Sequence, residues 1–142
     1  MQNKSINLQM GLCFLLILAN FIAQVPYFIH LYAGRQSLAL DLRSATVMGA
    51  VFAWFLAGAA LLLFKRRNLG FWLMGAFLAV EFLFYLSGSI NGVRHGFGLF
   101  FQVFNPDPVL RTVYTIGYTN LFASAYGLAL LVWQKVAAPR SG

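Results

Sequence analysis

Apolar runs separated by short polar gaps organise this chain. Four runs can be counted, over residues 6–31, 45–64, 69–90 and 112–133. Each exceeds the roughly 18 apolar residues that mark a membrane span. At about 1.5 Å of rise per residue, 20 helical residues cross a hydrocarbon core about 30 Å thick. A helix also satisfies its backbone polar groups internally, as lipid requires. The pattern predicts an all-α integral membrane protein: one domain over residues 1–142, a bundle of four transmembrane helices joined by short loops.

The first run has a competing reading as a signal peptide, because Lys4 precedes it. No small-x-small cleavage site follows, Asn20 and Gln24 interrupt the apolar core, and Leu12 before Cys13 is poor for lipoprotein processing. The run is therefore read as a span, with a kink expected at Pro26, where proline removes a helix hydrogen bond. Residues 32–44 read as a short polar connection. Residues 91–111 ("NGVRHGFGLFFQVFNPDPVLR") are longer, with Gly92, Gly96 and Gly98 ahead of an apolar stretch and a turn at "NPDP". That segment reads as an apolar piece lying at the outer interface, with a re-entrant piece lining a cavity as the alternative.

The polar positions inside the runs carry the chemistry. "FLAVEFLFYLSG" (77–88) holds one carboxylate, Glu81, 12 residues from the start of its run. That places it about 18 Å deep, just past mid-membrane and beyond the reach of a snorkelling side chain. Counted the same way, Asn20 falls at this depth, and Asn120 and Ser124 bracket it. Gln24 lies one turn outward from Asn20, and Tyr85 one turn outward from Glu81. Unsatisfied polar groups in hydrocarbon are costly, so these six residues are expected to face one another in a buried hydrogen-bonded layer. An amide of Asn20 or Asn120 is the expected partner of Glu81. With no cation at this depth, desolvation disfavours the carboxylate form. Glu81 is then either neutral interhelical glue, a binder of a proton, cation or polar ligand, or a contact with another protein's helix.

Composition agrees with lipid as the solvent: 61% of residues are hydrophobic and 9% charged, against roughly 25% charged in soluble domains. The net charge of +7 comes from cations in the gaps between runs, not from a basic face that would bind nucleic acid. Lys4, Lys65, Arg66, Arg67, Lys135 and Arg140 fall on one side of a four-span topology, and Arg35, Arg43, Arg94 and Arg111 on the other. The positive-inside bias makes the first side cytoplasmic, so the expectation is a multi-pass cell-membrane protein with both termini inside.

Cys13 is the single cysteine. One thiol forms no intramolecular disulfide, which excludes thiol-oxidase chemistry and leaves Cys13 as a small buried hydrophobe. His30 and His95 are the only histidines and lie toward the outer side. They are weak candidates for a metal or haem, because two imidazoles without a carboxylate or thiol cluster make a poor ligand set. The chain shows no phosphate loop, nucleophile–base pair or metal spacing, and no cofactor is expected. Ala45, Gly49, Ala53 and Ala57 form a small-residue stripe that lets another helix backbone approach, and Gly117, Ala125 and Ala129 give the fourth run a broken one.

These features favour a non-enzymatic membrane subunit that self-associates or joins a larger membrane complex. A proton- or cation-coupled transporter or channel built around Glu81 is the alternative, and a haem, quinone or lipid-linked enzyme using His30 and His95 comes third.

Overall fold

A computed structural model describes residues 2–33, 38–63, 67–96 and 101–137 of the protein. Four helices make up the described chain: α1 (Gln2–Ala33), α2 (Leu38–Leu63), α3 (Arg67–Arg94) and α4 (Pro108–Ala137). There is no strand among the described residues. All four helices are long and apolar enough to cross a membrane, over Ser5–Pro26, Ala45–Leu63, Asn68–Arg94 and Tyr114–Val136.

The helices outrun the apolar stretches that predict them. The second half of the expected polar connection, "LALDLRS", belongs to α2. Its leucines, alanine and arginine are strong helix formers, so the helix continues where the hydrophobic run does not. Pro26 sits within α1 without ending it. At the far end of α3, the backbone N–H of His95 donates to the carbonyls of Asn91 and Gly92, and that of Gly96 donates to Val93. Gly96 takes a φ of 82°, the left-handed conformation that closes a helix and suits glycine. The "NPDP" turn starts α4. Asp107 accepts from the N–H of Val109 at 2.8 Å as the N-cap, and Pro108 occupies the first helical position, where its missing N–H is not needed. The apolar stretch ahead of it makes a 3-10 turn, Phe101–Phe104, packed against α4, with Phe104 left exposed.

α4 packs between α1 and α3, while α2 packs chiefly on α3 and meets α1 only lightly. Aromatic rings fill the space between α1, α2 and α3. Phe77 of α3 meets Phe21, Phe55 and Trp54 at ring centroids 6.1, 5.3 and 5.8 Å away, and Phe14 meets Phe55 edge-on at 6.1 Å. The Trp54 indole N–H, which needs a partner once buried, donates to the backbone carbonyl of Leu73 at 3.0 Å.

The close approach of α2 to α3 runs through glycines the pattern of small residues did not single out. A Cβ on Gly70 would lie 2.6 Å from the backbone N of Leu62, and one on Gly58 would lie 3.3 Å from that of Met74. Any larger residue at position 70 has to drive two backbones apart. The stripe Ala45, Gly49, Ala53 and Ala57 takes no part in this packing. All four residues are exposed, and a Cβ on Gly49 would meet nothing within 4 Å. Between α1, α4 and the 3-10 turn runs an apolar groove of about 570 Å³, walled by Leu16, Val103, Phe122 and Tyr126 among others, with Cys13 at its base.

Candidate functional site

The six polar positions that depth counting groups together lie in the middle of the bundle. Asn20, Gln24, Glu81, Asn120 and Ser124 are buried, and Tyr85 is partly so. Asn120 is fully enclosed and acts as the hub. Its Oδ1 accepts from Asn20 Nδ2 at 2.7 Å, and its Nδ2 donates to the Tyr85 hydroxyl at 3.2 Å. Gln24 Nε2 donates to the same hydroxyl at 3.2 Å. Three helices are thereby tied together: α1 through Asn20 and Gln24, α3 through Tyr85, and α4 through Asn120.

The helix repeat explains why these residues meet. Asn20 and Gln24 are one turn apart on α1, so both face the same neighbours. Ser124 is one turn from Asn120, and its hydroxyl donates to the Asn120 carbonyl at 2.6 Å, so it satisfies itself within α4. Gly117 sets the position of Tyr85. A Cβ there would come within 3.2 Å of the tyrosine ring, so the absent side chain is what lets the phenol lie against α4 and reach Asn120. Nothing in the one-dimensional pattern marks Gly117 for this role beyond its place one turn before the layer.

Glu81 departs from the expected pairing. It is 8% exposed, and neither Asn20 nor Asn120 donates to it. Those amides are engaged with each other and with Tyr85. Glu81 Oε2 is enclosed and has no hydrogen-bond partner. The reason is rotational: residues at one depth share a level, but the amides face the phenol one turn beyond the carboxyl. A buried polar atom left in this state costs about 1 to 3 kcal/mol, and more if charged.

The remaining candidates do not join this cluster. His95 is exposed, and its Nδ1 lies 2.8 Å from the carbonyl of Asn91, where it helps to close α3. The side chain of His30 lies outside the described residues. No group of three or more potential metal ligands occurs among the described residues. Cys13 is buried as a free thiol. No family model, curated protein or solved structure matches the chain.

The hydrogen-bond chain makes Asn120 the side chain whose loss matters most to the bundle. Asn120→Leu, similar in size, removes both links to α1 and α3, leaving the Asn20 amide unpaired and Tyr85 with Gln24 alone. It is expected to destabilise the folded protein by about 1 to 3 kcal/mol, read as an earlier unfolding midpoint in detergent, whereas Ser124→Ala, which severs no interhelical bond, shifts the midpoint much less.

Proposed function

We propose that this chain is a non-enzymatic, multi-pass membrane protein in which Glu81 binds a proton or small cation at mid-membrane, in the manner of a small transporter or channel. One observation carries the reading: Glu81 is buried among hydrogen-bonded side chains, yet Oε2 has no partner. The links among Asn20, Asn120, Tyr85 and Gln24 are made without it. Glue therefore does not account for a carboxyl at this position, and an intramembrane ionisable group that is not glue reads as a functional one. Glu81→Gln keeps the shape and removes the titratable group. In proteoliposomes loaded with a pH-sensitive dye, the wild-type protein is expected to pass protons or cations down an imposed gradient, and Glu81→Gln to lose that movement while unfolding at the same temperature. Equal flux in the two proteins overturns the reading.

The proposed orientation puts both termini in the cytoplasm, supported by the six-to-four bias of Lys and Arg across the loops. On a Cys13→Ala background, Pro106→Cys is expected to react with an impermeant thiol reagent applied to intact cells, and Asn68→Cys is not. The opposite pattern reverses the topology.

A second reading, assembly with further helices, is favoured by the outward stripe on α2. Gly58 serves α2's packing within the chain, and Ala45, Gly49, Ala53 and Ala57 are left facing outward. Small residues on an outer face permit close backbone approach by another helix, in a second copy or a larger complex. Because nothing among the described residues lies within 4 Å of a Cβ at position 49, Gly49→Leu is expected to leave thermal stability unchanged while reducing the assembly size measured by light scattering in detergent. An unchanged size means that the stripe faces lipid.

A further inference from the structure

The hydrogen bonds around Glu81 restrict what it can bind. The Tyr85 oxygen accepts from Gln24 Nε2 and Asn120 Nδ2, so both of its lone pairs are occupied. Asn120 Oδ1 accepts from Asn20, which uses one of its two lone pairs. A metal cation entering beside Glu81 would find the carboxylate, a filled Tyr85 oxygen and a half-used Asn120 oxygen, whereas hard cations need about six oxygen ligands. The free valences are of another kind. Oε2 of Glu81 is enclosed but unpaired, and the hydrogen of Tyr85, one turn along the same helix, goes to no acceptor among the described hydrogen bonds. One acceptor and one donor, placed one turn apart, suit a hydroxyl that donates to the first and accepts from the second.

The surrounding elements offer no competing charge. α1 contributes the neutral amides Asn20 and Gln24, and α4 contributes Asn120 and Ser124. α2 carries no titratable side chain from Thr46 to Leu63, and on α3 the titratable neighbour is Tyr85 itself. No ammonium or guanidinium stands at this level among the described residues.

We infer that Glu81 and Tyr85 form a proton-exchange site, in which a water molecule bridges Oε2 and the Tyr85 hydroxyl and passes a single proton to and from the carboxylate. This rests on the reading of Glu81 as a binding group and narrows its ligand from any small cation to the proton. In the loading step, the bridging molecule in its hydronium form gives one proton to Oε2. An O–H bond breaks on the oxygen of the bridge and one forms on the carboxylate, leaving neutral water and a neutral carboxylic acid. Release reverses the step. Tyr85 keeps its own proton throughout and acts as a positioning residue, donating to the bridging oxygen whenever the bridge is neutral water. Gln24, Asn120 and the space left by Gly117 in turn hold the phenol in place.

Dicyclohexylcarbodiimide tests this, because it enters membranes and reacts with a carboxyl only when the group carries a proton. Glu81 is the only glutamate in the chain, so a mass-mapped adduct is unambiguous. In the purified full-length protein, Glu81 labelling is expected to fall as pH rises and, at fixed pH, to be the same in sodium, potassium or choline chloride. Tyr85→Phe keeps the ring against Gly117 but removes the donor to the carboxylate side. It is expected to raise labelling at fixed neutral pH about two- to tenfold, the worth of one hydrogen bond, whereas a purely structural tyrosine would leave the pH profile in place. Protection by sodium or potassium overturns the proton assignment but leaves Glu81 as a cation binder. An infrared pH titration covers the case in which the reagent does not react. A carboxylic C=O band that is absent from Glu81→Gln and disappears at high pH supports exchange. A band that never changes, or no such band at any pH, overturns this inference and the proposed function together.

Discussion

Every polar group in this fold is governed by the scarcity of partners. Along helices this apolar, a donor or acceptor that finds nothing within the chain has little else to turn to. Thr112, Thr115 and Thr119 each donate to the carbonyl four residues back, as does Ser89. Trp54 reaches across to a backbone carbonyl of α3. Asp107 closes one end of α4, while near the other Gln134 donates to Asn7 of α1 at 2.6 Å. Among the described residues the rule holds so widely that Glu81 stands out against it.

Where the chain does not use polar links it uses rings and glycines. α1 and α2 barely touch, and a helix pair separated in this way would leave a void. Phe14 and Phe21 of α1 cross the gap to Phe52 and Phe55 of α2, with Phe77 of α3 behind them. Rings span a wide gap at little entropic cost, having only two side-chain torsions each. On the other side of α2 the solution is reversed, with Gly58 and Gly70 removing side chains so that backbones meet. One helix thus has a wide seam and a narrow seam, and the narrow one lies at the ends of α2 and α3 that are nearest in sequence. At the same end of α3, Lys135 of α4 lies 4.2 Å from the centre of the Phe71 ring, so its charge is held against an aromatic face and its stem covers apolar surface.

The four helices and the shared level of the polar residues along them were legible in the sequence, because both depend on one number, the helical rise. Packed helical runs of similar length put residues of equal count at equal level, which is how counting alone groups Asn20, Glu81 and Asn120. Rotation about each helix axis was not legible, since it depends on which neighbours are packed and how closely. That is why the amide expected to pair with Glu81, that of Asn120, donates instead to the phenol of Tyr85, one turn away, and leaves Glu81 Oε2 without a partner. It is also why the stripe on α2 could be found but not aimed: four small residues in register define a face, and only the packing of Gly58 and Gly70 against α3 decides that the face looks outward. The start of α2 was missed for a different reason, because polarity marks the end of a hydrophobic run and not the end of a helix.

An interhelical hydrogen bond in a membrane protein contributes on average about 0.6 kcal/mol, with a ceiling near 1.7. The three links centred on Asn120 and Tyr85 therefore supply only a few kcal/mol, and none of them involves the carboxyl. Enclosing an unpaired oxygen costs a comparable amount. If Glu81 served stability alone, a leucine would fill the same space, leave all three links intact and remove the cost. A residue whose stability contribution is unfavourable, in a position where an apolar one would serve, supports the binding role proposed for it. The chemistry open to it is that of its free oxygen and of the tyrosine hydrogen one turn away.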